Sequence, residues 1–263
     1  KALYASAKSH DELVHVHGAI RVSCELKVDF SKAVERKNKV VKELVEGIAG
    51  LEKAWKNDVY NGHGKIIGGN AIDGFDITIN GEETQNIKAK RVIIATGSSP
   101  ALIPAFNIDH DRILTSDDIL HPDFKNVPER LLIIGAGVIG CEFANIFTTF
   151  GSKVTILEYL STPIATEEPM VIKELQKKLV KMGIDINVSQ NVLSVENTGS
   201  GIKATTCSAD VTLNKISNVL SAGTIINPPP IPNNPAKKPT IQPSSAQHAT
   251  NKPKSYIVIS NAF

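Results

Sequence analysis

From Phe30 onward the apolar residues Val34, Val41, Leu44, Ile48, Leu51 and Trp55 recur at intervals of three, four or seven, the spacing that lays side chains along one stripe of an α-helix. The pattern predicts a long helix with one buried face, capped by Ser31 or Asp29 and ended at Asn57-Asp58. An alanine-rich, helix-permissive stretch from Lys1 to Lys8 precedes it. Short β-prone runs follow, VYNGHGKIIGGN, FDITINGEE and KRVIIATG, separated by turn signals. Asn80-Gly81, between Ile79 and Glu82, marks a hairpin, so a small antiparallel layer is expected here.

Ser98 to Glu129 carries Pro100, Pro104, Pro122 and Pro128 and reads as a linker with one helical turn near Ser116 to Leu120. The pattern then changes. Arg130 to Ile134 is a continuous apolar strand, Val138 to Phe150 a helix, Lys153 to Leu157 a second strand, and Glu168 to Met182 a lysine-rich amphipathic helix before a third strand. Such a βαβ series implies a parallel sheet covered on both faces. Eight of the 14 prolines fall between Pro228 and Pro253. A stretch with so few large apolar side chains cannot offset its ordering entropy, so 227–254 is expected to be extended or disordered, with some polyproline II character or a docking site for a proline-reading domain. The closing SYIVISNAF is β-prone and either pairs with a sheet edge or hangs free.

Composition narrows the classes. With 41% apolar and 21% charged residues the 263-residue chain has a core-forming balance, and a net charge of +2 with no basic stripe gives no reason to expect nucleic acid. The longest apolar run, about ten residues around Leu131 to Gly140, is half the roughly 20 that a membrane helix needs, so no membrane partner is expected. Cys24, Cys141 and Cys207 lie far apart; neither a disulfide framework nor a thiolate zinc site is indicated, and a reducing compartment fits. His15 and His17 share one side of any strand but lack a third metal ligand. Position 1 is lysine, no methionine precedes Met170 and no signal-peptide pattern opens the chain, so a fragment or processed product is expected.

Chemistry concentrates in LLIIGAGVIG, where Gly135, Ala136, Gly137, Val138, Ile139 and Gly140 follow a strand and open a helix. This is G-x-G-x-x-G in the context that gives it meaning. Gly135 permits a tight turn, Gly137 lets the backbone approach a pyrophosphate, Gly140 lets helix pack on strand, and the helix N-terminus faces the phosphates. A glycine turn that binds nothing has the same residues. What favours a dinucleotide is Glu158, at the end of the next strand, 18 residues past Gly140. A carboxylate there accepts both ribose hydroxyls of adenosine and repels a 2′-phosphate, which selects NAD over NADP. Glu142 sits in the first turn of the same helix, where the dipole favours a carboxylate whether or not it has another role. Cys141 beside it is either a thiol activated by the helix end or, as preferred here, a small packing residue.

With these residues in view the chain resembles the flavin-dependent pyridine nucleotide-disulfide oxidoreductases, and within them the dihydrolipoyl dehydrogenases. The resemblance runs from about Lys1 to Gly223 and is carried by KALYAS, ERKNKVVKELVEGIAGL, NGHGKI, VIIATGSSP, ILTSDDIL and VPERLLIIGAGVIGCEFANIFTTFGSKVTILE. It implies an α/β, Rossmann-like FAD/NAD(P)-binding fold with a parallel sheet. The expected division is a partial FAD-binding domain over 1–97, a linker over 98–127, an NAD-binding domain over 128–226 and a largely irregular proline-rich tail over 227–263. The resemblance puts Thr96, Gly97 and Ser98 on a turn near the flavin nucleotide and Gly64 near the adenine end of FAD. It makes Lys1 a flavin-side lysine with Glu142 as its ion-pair partner, and adds Val192 near the NAD adenine and Gly223 near the nicotinamide. Partners implied are dihydrolipoamide on the lipoyl domains of 2-oxoacid dehydrogenase complexes and a second copy in a homodimer. A bacterial cytoplasm or mitochondrial matrix is the implied location.

The departures carry equal weight. The family's first G-x-G-x-x-G for FAD, its redox cysteine pair, its Gly-Asp flavin motif and its histidine-glutamate acid/base pair are absent from these 263 residues, and Thr224 and Ile226 stand where the family has arginine and proline. The chain by itself is therefore expected to be inactive toward dihydrolipoamide. Two further readings stay open: an NAD-binding module without disulfide chemistry, and another FAD-dependent reductase of the same fold.

Overall fold

The computed structural model describes residues 1–14, 29–199, 201–207, 210–211, 218–221, 224–225 and 256–259. Gly223, Cys24, His15, His17 and the proline-rich 227–254 lie outside the described residues. In chain order the elements are α1 (Ala2–Val14), α2 (Phe30–Ala54), β1 (His63–Asn70), β2 (Gly74–Asn80), β3 (Thr84–Ala89), β4 (Arg91–Ile94), β5 (Ser99–Pro100), a 3₁₀ turn (Pro104–Phe106), β6 (Ile113–Thr115), α3 (Ser116–Leu120), β7 (Arg130–Ile134), α4 (Val138–Thr149), β8 (Lys153–Leu157), α5 (Pro169–Lys181), β9 (Asp185–Asn187), β10 (Val192–Asn197), β11 (Ile202–Thr206), β12 (Asp210–Val211), β13 (Asn218–Ser221), β14 (Thr224–Ile225) and β15 (Tyr256–Ile259). They form two compact units, Lys1–Ala49 with Ser99–Ile225, and Gly50–Ser98 with Ile226–Phe263. No helix among the described residues is long and apolar enough to cross a membrane.

The first unit is built on a five-stranded sheet in the order β6-β13-β7-β8-β9, all its pairings parallel. Because successive strand residues point to opposite faces, β7 feeds two cores. Leu131 and Ile133 join a cluster with Val34, Ala144, Phe147, Ile156 and Leu179. Leu132 and Ile134 join Phe106, Val195, Ile202 and Ala204. The apolar run thus reflects burial on both faces, by helices on one side and by the antiparallel β10–β11 ribbon and 3₁₀ turn on the other. Phe147 is fully buried, and its ring stands within 6.2 Å of Phe30, Phe124 and Phe143.

The proline-bearing linker contributes more than a connection. Ile113–Thr115 forms an edge strand of the parallel sheet, and Thr115 then starts α3 through a reciprocal capping box with Asp118. Proline density conceals a three-residue strand, since its partner β13 lies about a hundred residues later and leaves no local signal.

The long helix forms as its spacing predicts, with Asp29 as the cap: its Oδ1 accepts the Lys32 N–H at 3.3 Å. The expected buried face holds only at its start. Phe30, Ala33, Val34 and Lys37 are buried, whereas Val41, Leu44, Ile48, Leu51 and Trp55 are 51–77% exposed. The physical reason is length: the first two turns pack on the Phe147 cluster, and at 1.5 Å per residue the helix up to Ala49 extends about 18 Å beyond Lys37.

In the second unit β1, β2 and β3 form an antiparallel sheet. Asn80 pairs with Thr84, so the hairpin signalled by Asn80-Gly81 closes through a three-residue loop. Gly81 is needed there because a Cβ would clash with the Asn61 carbonyl oxygen. KRVIIATG does not join this layer as expected; β4 pairs in parallel with β15 instead.

Candidate functional site

At the carboxyl edge of the parallel sheet β7 and β8 end together, Ile134 beside Leu157. The chain runs outward from β7 through β8 to β9 and returns on the other side as β13. The sheet therefore has its topological switch point at the end of β7, where open α/β sheets leave a crevice for ligands. The glycine run begins at that end of the sheet, directly after β7. Gly135 has φ +106°, a conformation that disfavours any Cβ, and its N–H donates to the Leu157 carbonyl at 2.8 Å. Ala136 is fully buried, and its carbonyl accepts the Ile164 N–H at 2.9 Å. Gly137 is the N-cap of α4 and offers no side chain to the free N–H groups of the first turn. A Cβ built on it would meet no heavy atom within 4 Å, so the helix mouth is open to an incoming anion. Gly140 is buried against the sheet, while Val138 and Glu142 are on the exposed side of α4.

Glu158 completes the edge. Its side chain is only 8% exposed, yet both carboxylate oxygens are engaged: Oε2 accepts the Ala136 N–H at 2.5 Å and Oε1 the Leu160 N–H at 2.7 Å. Its backbone is fixed as well, the N–H donating to Asn187 and the carbonyl accepting from Gln190, both at 2.8 Å. One carboxylate thus ties the end of β8 to the glycine turn after β7. The sequence has no local sign of the Ala136 and Leu160 clamps, because backbone N–H groups belong to every residue type.

Cys141 is buried, and its thiol is pushed up to about 11 by burial and by the nearby Glu158 carboxylate. Its Sγ lies 3.5 Å from the Ala136 carbonyl. At neutral pH this is a protonated packing group, as preferred from the sequence.

The other predicted site residues are distributed as follows. Ile139 is half-buried at the start of α4. Val192 opens β10 and packs on the Phe106–Val195 cluster. Lys1 is exposed and its carbonyl starts α1 by accepting the Ala5 N–H. Glu142 is also exposed, and no ion pair joins the two among the described residues. In the second unit, Gly64 pairs with Ile79 across β1 and β2. Thr96 is half-buried, Ser98 is exposed, and Gly97 takes φ +68° with open space at its Cβ position. Among the described residues no group of three metal-ligating side chains gathers.

A dinucleotide fits the first unit: open helix mouth, left-handed glycine and buried carboxylate are present at one edge. For FAD the described residues supply a permissive turn at Gly97, whereas a second glycine cradle for its pyrophosphate is lacking.

The sequence matches the family described as pyridine nucleotide-disulphide oxidoreductase over residues 2–233. It is 39% identical over 171 residues to a dihydrolipoyl dehydrogenase of Bacillus subtilis, covering 63% of this chain and 36% of that one. A mitochondrial dihydrolipoyl dehydrogenase of Pisum sativum is 35% identical over 208 residues, 78% of this chain and 40% of the relative. Among solved structures, LpdA from Mycobacterium tuberculosis superposes with a TM-score of 0.73 at 24% identity, over 86% of this chain and 48% of that one. The chain therefore spans less than half the length of these relatives, and the structural likeness bears on the fold.

Proposed function

The chain belongs to the pyridine nucleotide-disulphide oxidoreductase family, and from that premise we propose that its first unit is the NAD-binding part of a flavoprotein disulfide oxidoreductase of the dihydrolipoyl dehydrogenase type. The observation that carries this reading is the Glu158 carboxylate, held by two backbone N–H groups, that of Ala136 in the glycine turn and that of Leu160 just after β8. The first-turn N–H groups of α4 take the pyrophosphate, with the helix dipole favouring its charge. Glu158 accepts the adenosine ribose hydroxyls and repels a 2′-phosphate, giving NAD over NADP. Val192 borders the adenine and Gly223 the nicotinamide side.

In the whole enzyme, dihydrolipoamide on the lipoyl domains of 2-oxoacid dehydrogenase complexes is oxidised and NAD is the final acceptor. FAD supplies the two-electron relay between them. Thr96, Gly97, Ser98 and Gly64 serve the flavin side, as does Lys1, and Glu142 pairs with Lys1 once flavin is bound. The enzyme acts as a homodimer in a bacterial cytoplasm or a mitochondrial matrix. The functional division remains 1–97 for flavin, 98–127 as linker, 128–226 for NAD and 227–263 as tail. These 263 residues alone do not turn over dihydrolipoamide, having no adjacent thiol pair to reduce.

The test is amide mapping by NMR with NADH. Shifts concentrated at Gly135–Gly140, Glu158–Leu160 and Val192 are expected; a folded sample whose shifts fall elsewhere, or nowhere, refutes the site.

A further inference from the structure

Glu158 is gripped by the N–H groups of Ala136 and Leu160, and each of these two residues is itself held at its carbonyl. The Ala136 carbonyl accepts the Ile164 N–H and the Leu160 carbonyl accepts the Ser189 N–H, both at 2.9 Å. Ile164 and Ser189 share a further property: their φ angles are +40° and +56°. Five non-glycine residues among the described ones have positive φ, a conformation that L side chains rarely adopt. Sparsely populated backbone persists only where the surroundings impose it, and it concentrates at ligand sites. Two of the five stand one hydrogen bond behind the two donors of a single carboxylate.

The Ser189 brace is a departure from regular strand pairing. β8 and β9 are parallel as far as Leu157 beside Asn187, and the Glu158 N–H continues the ladder to the Asn187 carbonyl. In an evenly paired parallel ladder the Glu158 carbonyl would take the N–H two residues past Asn187, that of Ser189. It takes the Gln190 N–H instead. One extra residue is thus accommodated as a bulge, and the left-handed turn at Ser189 redirects its N–H to Leu160. The Ser189 side chain is exposed, so its contribution is this backbone geometry, whereas Ile164 belongs to the buried core and carries packing as well.

We infer that Ser189 is a positioning residue for the nucleotide site: its left-handed backbone holds Leu160, Leu160 holds Oε1 of Glu158, and the carboxylate is thereby kept in the orientation that distinguishes a 2′-hydroxyl from a 2′-phosphate. Ile164 acts in the same way on Oε2 through Ala136. The inference rests on the reading of Glu158 as the ribose acceptor, while the brace itself lies wholly within the first unit and exists without nucleotide.

The experiment uses the full chain and three substitutions at this one exposed position. Ser189→Gly keeps the N–H and favours the positive φ, Ser189→Val keeps the N–H but resists that φ, and Ser189→Pro forbids it and removes the N–H. Amide hydrogen exchange, read by NMR, tests the brace directly. The Leu160 N–H should exchange roughly tenfold faster in Ser189→Pro, by an intermediate factor in Ser189→Val, and as slowly as in the unmodified chain in Ser189→Gly, with the Ala136 N–H changing far less in all three. Unchanged Leu160 exchange in both the valine and the proline variant, or a glycine variant that behaves like the proline one, overturns the inference; where the proline variant does not fold, the valine variant decides. Titration with NADH and NADPH tests the consequence. The preference for NADH should narrow about tenfold in Ser189→Pro, persist in Ser189→Gly, and narrow no further when Ser189→Pro is added to Glu158→Gln. A preference that survives a freed Leu160, or that narrows as much in the Glu158→Gln background, overturns the inference. Equal binding of both nucleotides by the unmodified chain refutes the ribose reading of Glu158 instead, and the exchange rates still decide the brace.

Discussion

Replacing Glu158 by glutamine separates the two roles assigned to this side chain. The substitution keeps size and removes charge, but an amide has one oxygen where the carboxylate has two. The Ala136 and Leu160 N–H groups approach from 2.5 and 2.7 Å, so in either orientation one of them faces an NH₂ group instead of an acceptor. Losing one hydrogen bond to a charged, buried acceptor costs about 1.5–3 kcal/mol. Easier desolvation of the amide offsets part of this, leaving a net loss of about 1–2 kcal/mol. For a unit of this size that corresponds to a fall of roughly 2–8 °C in Tm, read by differential scanning calorimetry. The same loss of an acceptor should weaken NADH by about tenfold or more. If Tm falls and NADH affinity holds, the carboxylate is only a strut between β8 and the glycine turn, and the ribose role is wrong. If neither changes, the two hydrogen bonds do not carry the geometry argued from them.

Three other outcomes follow from the same structure. Cys141, buried with its thiol near 11, should resist maleimide at pH 7.5 while exposed Cys207 reacts; peptide mapping that finds equal labelling of both contradicts the packing role. At Asp109 desolvation raises the carboxyl, but hydrogen bonds from the Ile113 N–H, the Asn197 amide and the Asp111 and Arg112 N–H groups outweigh it and hold it at about 2. A depressed folded value stabilises above the ordinary 3.8 and loses that contribution as pH falls toward 2. Denaturation midpoints between pH 5 and pH 2.5 should therefore drop less for Asp109→Asn than for the unmodified chain, and parallel curves would refute this. Phe147→Ala should cost about 3–5 kcal/mol, because the ring is fully buried among Phe30, Phe124 and Phe143; a Tm change below 2 °C would mean the cluster is not the core of this unit.

The candidate site was legible in the sequence because its parts are local. A glycine run after an apolar strand and a carboxylate ending the next strand are read directly, and each is where the pattern indicates. The clamps on Glu158 were not legible, since they are backbone donors without a residue signature. Ile113–Thr115 was hidden for a related reason: its strand identity depends on Asn218–Ser221, far away in the chain. The spacing from Val41 to Leu51 predicts a helix, which forms, and a buried face, which does not. Periodicity reports which side chains share a face, whereas burial depends on what lies opposite. KRVIIATG was likewise recognised as a strand, but parallel pairing with Tyr256–Ile259 cannot be inferred from either segment alone.

The most direct test of the central claim is calorimetric titration of the unmodified chain with NADH and NADPH under identical conditions. The account predicts saturable micromolar NADH binding and NADPH binding at least tenfold weaker, because a 2′-phosphate at the proposed ribose site would meet the charge of the buried Glu158 carboxylate. Equal affinity for the two nucleotides, or none for NADH in a sample with a cooperative melting transition, would contradict it.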